Sequence, residues 1–156
     1  MTFRLGHISE TNLLGVDTRL IQVTRRAIRI SHQDFRVIKG LRSPDDQADA
    51  IRTGASHCSL EKGTCRHLTG QAIDLVAWVD GQIAWEPIDL YYRIAEAFRD
   101  ASLSEGVPVR WGGSWVVLQS TTDMRQSVKR YVDWCRRQTP RKRPLIDSGH
   151  FELAGV

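Results

Sequence analysis

An α+β fold in one domain is what this sequence predicts, on three observations. Segments with helical spacing and segments with strand alternation follow one another without the regular rhythm of a parallel βαβ fold. Asp80-Gly81 between two apolar runs marks a hairpin, so the sheet is at least partly antiparallel. A length of 156 residues, 41% hydrophobic and 26% charged, suits one domain with its own core, and no repeat or low-complexity segment points to a second. The expectation is a single domain over residues 1–156, a small antiparallel sheet flanked by helices.

Each element has its own signal. Leu20, Val23, Ala27 and Ile30 recur at helical spacing among arginines, predicting an amphipathic helix over 18–31. Residues 34–41 read as a strand. Ser43-Pro44-Asp45-Asp46 is a helix start: serine caps, proline suits the first turn and the acids complement the dipole, with Gly54 as the stop. A polar loop over 55–64 precedes a mostly buried strand over 72–78, which turns at Asp80-Gly81 into a partner over 82–85. Residues 87–103 carry the longest helical pattern, closed near Gly106, and 107–111 form a strand broken by Gly112-Gly113. Val128, Tyr131, Val132 and Cys135 stripe a helix over 120–138 that Pro140 ends, and a short strand over 150–153 closes the chain.

The formal net charge of +4 is modest but uneven, because Lys129, Arg130, Arg136, Arg137, Arg141, Lys142 and Arg143 crowd into one stretch. A solvated helix face explains it more simply than nucleic-acid recognition, since no zinc-finger spacing or stacking platform accompanies it. No apolar run is long enough to span a membrane, and MTFRLGHISE lacks the order of a secretory signal, so a soluble, cytosolically made monomer is expected. Of three cysteines, Cys58 and Cys65 are close enough in sequence to pair, but the rarity of cytosolic disulfides favours free thiols.

The candidate chemistry begins in CRHLTGQAIDL, residues 65–75. Strand alternation puts Ala72, Asp74 and Val76 on one face and Ile73, Leu75 and Ala77 on the other. A carboxylate in so apolar a strand needs a metal ion, an arginine or a helix N-terminus as partner. His67 stands just upstream, and a His–Asp hydrogen bond that only fixes the loop is the simpler alternative. In DSGHFEL, residues 147–153, His150 and Glu152 share a face, and Asp147 approaches His150 across a glycine turn. Two histidines and an aspartate make a plausible open zinc site, and a further carboxylate supplies the base that hydrolysis needs.

The order His67-x-x-Gly70-x-Ala72-x-Asp74, followed by Asp147-x-x-His150, resembles the zinc D-Ala-D-Ala carboxypeptidases and L-alanyl-D-glutamate peptidases (VanY-like). GLRS with Gln47, RHLTGQAIDLVAW, RWGGSW and HFEL resemble the phage endolysin branch. The resemblance covers nearly the whole chain and implies a Hedgehog/DD-peptidase-like fold. It implies that His67, Asp74 and His150 bind zinc with a water in the fourth position, and that Asp147 is the catalytic base. Arg42 and Gln47 take positions that contact substrate in relatives, and Arg42 is further expected to polarise the scissile carbonyl; a surface salt bridge is the plainer role for it. The implied partner is the stem peptide of bacterial peptidoglycan, cut at L-Ala-D-Glu, with D-Ala-D-Ala carboxypeptidase action as the alternative. The implied setting is a host cytoplasm, with holin-dependent release to the wall.

Three departures stand out. Cys65 replaces a usual serine, where it would weakly hydrogen-bond substrate or compete for metal as a thiolate. Ser114 replaces the aspartate of WGGDW. The interval from Trp115 to Asp147 is long, and 116–146 reads as a basic helical insertion that shapes the substrate groove or touches the anionic envelope through 129–143. Trp111 is a candidate groove wall or a core filler, and Glu152 a candidate partner orienting His150 or a solvent-facing carboxylate. His7, His32 and His57 read as structural or exposed, and Cys135 as core. Two rivals from other classes are a non-catalytic wall-binding module and a nucleic-acid binder with a structural zinc on Cys58, Cys65 and His67.

Overall fold

The computed structural model describes residues 2–54, 56, 58 and 65–155. The fold is α+β. Helices α1 (His7–Asn12) and α2 (Thr18–Ile30) lead into β1 (Phe35–Lys39), followed by α3 (Pro44–Arg52) and a 3₁₀ turn (Arg66–Thr69). The hairpin β2 (Ala72–Val79) and β3 (Gln82–Ala84) precedes α4 (Asp89–Glu105), β4 (Val109–Trp111) and β5 (Val116–Val117). Helix α5 (Met124–Gln138) and β6 (His150–Leu153) complete the chain. The sheet order is β1-β2-β6-β4-β5, with β3 pairing the far end of β2, and every pairing is antiparallel.

Local rules account for most boundaries. Ser43 accepts a hydrogen bond from the Asp46 amide and Pro44 opens α3, while Asp17 caps α2 through Arg19. Gly106, left-handed, ends α4. Two elements went unforeseen because each is too short to show a period. Helix α1 is six polar-rich residues, recognisable only by what it touches: the Ser9 hydroxyl accepts from the Val37 amide and Asn12 donates to the Val37 carbonyl, covering the edge of β1. Strand β5 has two residues and lies inside the expected helical insertion, so that segment begins as part of the sheet.

The sheet has one dry face. Phe35, Val37, Ile73, Leu75, Val109, Trp111, Phe151 and Leu153 pack with Leu20, Val23 and Ala27 of α2 and Ile94 and Phe98 of α4. Phe98 stacks on Phe151 at 4.0 Å between centroids and meets Phe35 at 5.7 Å, joining helix to both halves of the sheet. Helix α5 meets this core only at its start, where Met124 is buried within it and Val128 packs against it; the expected core residue Cys135, further along the stripe, is half-buried. His7 and His32 are exposed as expected, whereas His57 lies outside the described residues.

Truncating Phe98 removes the ring shared by helix and sheet. Phe98→Ala is expected to cost about 3–5 kcal/mol, read as a lowered midpoint in denaturant unfolding with unchanged slope. A loss under about 1 kcal/mol would contradict this account of the core.

Candidate active site

The opposite face of the same sheet carries the charges. Strands β2 and β6 pair so that Asp74 lies directly across from His150 and Ala72 from Glu152. Since alternate residues share a face, the pairing that sends Ile73 and Phe151 into the core puts Asp74, His150 and Glu152 together on the other side. His150 Nδ1 is 2.9 Å from Asp74 Oδ1 and its Nε2 is 3.0 Å from Glu152 Oε1.

His67 arrives from the 3₁₀ turn. That turn closes on Gly70 at φ 70°, where any side chain would be strained and a Cβ would strike the Gly15 carbonyl. The Gly70 carbonyl in turn accepts from the Asp17 amide at 2.8 Å. His67 Nε2 stands 3.3 Å from Asp74 Oδ2, and Nδ1 lies 2.9 Å from the Gly40 carbonyl, which fixes Nδ1 as the protonated nitrogen and leaves Nε2 as a lone-pair donor. The ligating atoms of His67, Asp74 and His150 all fall within 4.8 Å of one another. Each histidine thus offers one nitrogen to the common centre and hands the other to a carbonyl or carboxylate, the arrangement expected around a metal. The donor set, two imidazoles and a carboxylate, fits zinc.

The surroundings supply charge balance. Glu152 is approached by Arg66 at 3.6 Å and Arg110 at 3.7 Å, and Arg42 approaches Asp74 at 3.8 Å. Burial alone would raise the Asp74 pKa, but hydrogen bonds from His150 and His67 outweigh it and hold the carboxyl well below its ordinary range. Burial would likewise lower His150, yet its bonds to Asp74 and Glu152 prevail and push it up to about 10. Asp147 is raised, first by burial and then by the neighbouring Asp74 charge.

Asp147 sits on the turn before β6 and is accessible to solvent, although the protein packed around its carboxyl still desolvates it. Its amide donates to the Gly112 carbonyl at 2.9 Å, and Gly112 returns a bond to the His150 carbonyl at 2.8 Å. A Cβ at Gly112 would strike the Asp147 carbonyl, so this close approach requires glycine.

Several expected site residues have other placements. Trp111 is fully buried and cannot wall a groove; its indole donates to the Ser148 carbonyl at 2.8 Å, pinning the Asp147 turn from below. Gln47 is fully buried too, so it does not meet substrate: its Oε1 accepts from Arg42 Nη1 at 2.8 Å, while its amide donates to Ser56 and Cys58. Cys65 is joined to Cys58 in a disulfide, which corrects the expectation of free thiols. It therefore has no thiol for substrate or metal, and the structural-zinc rival loses both its thiolates. Arg42 is 8% exposed and stays at the site, tied by its amide to the His67 carbonyl; among the described residues its buried Nε has no hydrogen-bond partner.

Other contributors were weaker in the sequence or absent from its reading. Glu152 orients His150, as one of its two expected roles had it. Arg66 and Arg110 went unassigned because nothing local marks an arginine that meets Glu152 across a sheet. Trp115, at positive φ of 56°, places its ring 5.5 Å from His150; the RWGGSW motif contained it without giving it a role. Ser114, in the usual aspartate position, is buried and bonds Ser127 of α5 at 2.9 Å.

Comparisons with known proteins agree with this geometry. A family model described as phage L-alanyl-D-glutamate peptidase matches residues 1–154. The L-alanyl-D-glutamate peptidase of Escherichia phage T5 is 31% identical over 153 residues, covering 98% of this chain and 99% of the relative. The crystal structure of the Serratia marcescens L-Ala D-Glu endopeptidase ChiX superposes with a TM-score of 0.71 at 35% identity, covering 98% of this chain and 91% of that one. With the match running over almost its full length, the chain belongs to the phage L-alanyl-D-glutamate peptidase family.

Proposed function

We propose that this cell-wall peptidase is a zinc-dependent endolysin that hydrolyses the L-Ala-D-Glu bond of the peptidoglycan stem peptide. The observation that carries the metal assignment is the convergence of His67, Asp74 and His150 with their outer nitrogens committed to Gly40 and Glu152. Zinc, when bound, supplies Lewis-acid polarisation and makes water acidic enough to act near neutral pH.

The protein's own groups do the rest. Asp147, with its pKa raised toward the working range, takes a proton from the attacking water and returns it to the leaving amine. Arg42 holds its guanidinium 3.8 Å from Asp74, where a substrate carboxylate or the developing oxyanion would be well received. Gln47 holds the guanidinium in place. The exposed charges at Arg136, Arg137, Arg141, Lys142 and Arg143 suit contact with the anionic envelope after holin-dependent release from the host cytoplasm. No helix among the described residues is long and apolar enough to cross a membrane.

The bond is tested by mass analysis of purified muropeptides digested by the zinc-loaded chain. Release of intact peptide beginning at D-Glu is expected; loss of only a terminal D-alanine would sink the assignment. Metal and base separate by substitution. His150→Ala should lose both zinc, by elemental analysis, and lysis of permeabilised cells, whereas Asp147→Ala should keep about one zinc per chain and lose activity by at least about a hundredfold. Full lysis by Asp147→Ala would remove it as the base.

Stability of the metal-free chain has a predictable pH dependence. His150 titrates near 6.5 when unfolded and about 10 when folded, so the folded state retains a proton that the unfolded state releases between them. The stabilisation is fully present below pH 6.5 and lost as pH rises through 10. Melting temperatures of chelator-treated protein should therefore fall across this window, and a rise would contradict the His150 network.

A further inference from the structure

A groove of about 380 Å³ runs between the turn after β4 and the surface of α5. Ser114, Thr122, Asp123, Arg130, Tyr131 and Trp134 are among its lining residues. The proposed hydrolysis uses none of them. Three features define what the groove can hold. Thr122 and Gln126 are exposed polar residues in it, and Ser114, Ser120 and Ser127 line it with hydroxyls that are also bonded within the protein. Its charged residues are one arginine and one aspartate, so it is electrically neutral. Trp134 is 53% exposed, a flat apolar ring open to solvent at the groove wall.

The groove is physically joined to the catalytic cluster. Tyr131 donates its hydroxyl to the Leu145 carbonyl at 2.8 Å, and Trp115 donates its indole N–H to the same oxygen at 3.0 Å. The Trp115 ring then lies 5.5 Å from His150, and Ser114 beside it bonds α5 through Ser127. A ligand seated against Tyr131 is thus linked to His150 through the Leu145 carbonyl and Trp115.

We infer that this groove binds the glycan strand from which the stem peptide hangs, an N-acetylated amino sugar resting against Trp134. The inference rests on the L-Ala-D-Glu reading, because L-Ala is attached to the sugar through a lactyl group. One residue, about 3.6 Å of extended chain, and that lactyl link separate the scissile bond from the sugar, so any site that cuts there has the sugar close by. A neutral, hydroxyl-rich groove with an exposed amphipathic ring matches a neutral sugar, which presents hydroxyls at its rim and C–H groups on its face. A nucleic acid would need a row of unopposed cations in the groove, whereas its lining holds a single arginine together with an aspartate.

Neutral N-acetylglucosamine oligosaccharides are titrated into the zinc-loaded full chain by calorimetry. Binding by the wild type, weakened at least tenfold in Trp134→Ala and retained in Trp134→Phe, is the expected result. No binding by the wild type, equal binding by Trp134→Ala, or preferential binding of an oligonucleotide overturns the inference. In parallel, a stem peptide capped on L-Ala by an acetyl group carries no sugar and should be cut equally by wild type and Trp134→Ala. An unequal rate there overturns a glycan-specific role. Failure of the wild type to release peptide beginning at D-Glu from intact muropeptides while saccharide binding persists would sink the bond assignment and leave the groove's ligand established.

Discussion

The antiparallel pairing of β2 with β6 is the constraint on which the rest depends. One register sets Ile73 opposite Phe151 and Asp74 opposite His150. The first pair is sealed into the core by Phe98, which stacks on Phe151, and the second is delivered to the opposite face. A slip of one residue would exchange the faces, putting a carboxylate and an imidazole against α4 and exposing two large apolar side chains. The apolar core therefore enforces the catalytic register, and the ligand geometry inherits the rigidity of a paired, buried sheet.

A face with this many charges is tolerable only because nearly every one has a counterpart. Asp74 has both histidines and Arg42; Glu152 has His150, Arg66 and Arg110. In the metal-free chain the protonated His150 ring donates from Nδ1 to Asp74 and from Nε2 to Glu152, and its raised pKa reflects how strongly the site favours positive charge at that point. A divalent cation answers the same demand. The site is thus built around an electrostatic need, with hydrogen bonds to Gly40 and Glu152 setting which nitrogens face inward.

The sequence made the strands carrying Asp74 and His150 legible, because alternation of apolar and polar residues is a local signal. It did not make their pairing legible, since register is set by contacts between segments far apart in the chain. The same limit explains Gln47 and Trp111. A motif marks both as important, but whether a side chain touches substrate or holds another side chain depends on burial that only the assembled fold decides. Cys65 illustrates a different limit: compartment chemistry argued against a disulfide, whereas the fold brings Cys58 and Cys65 to bonding distance beside the Gln47 amide. Helix α5 was readable as a helix, yet its partly apolar stripe suggested core where the chain places a half-exposed surface.

Asp147 differs from the candidate metal ligands in how it is held, and its proposed task accounts for the difference. His67, Asp74 and His150, which could together hold a cation, are fixed by a turn closed on Gly70 and by the sheet. Asp147 lies on a turn whose backbone is anchored at Gly112 and, through Ser148, at Trp111, while its side chain remains open. A base that first takes a proton from water and then gives it to a leaving amine must reach two positions from one anchor. A carboxylate on a pinned turn can rotate between them, whereas one locked into the Asp74 network could not. Burial and the Asp74 charge raise its pKa, which makes the second transfer easier without giving up the first.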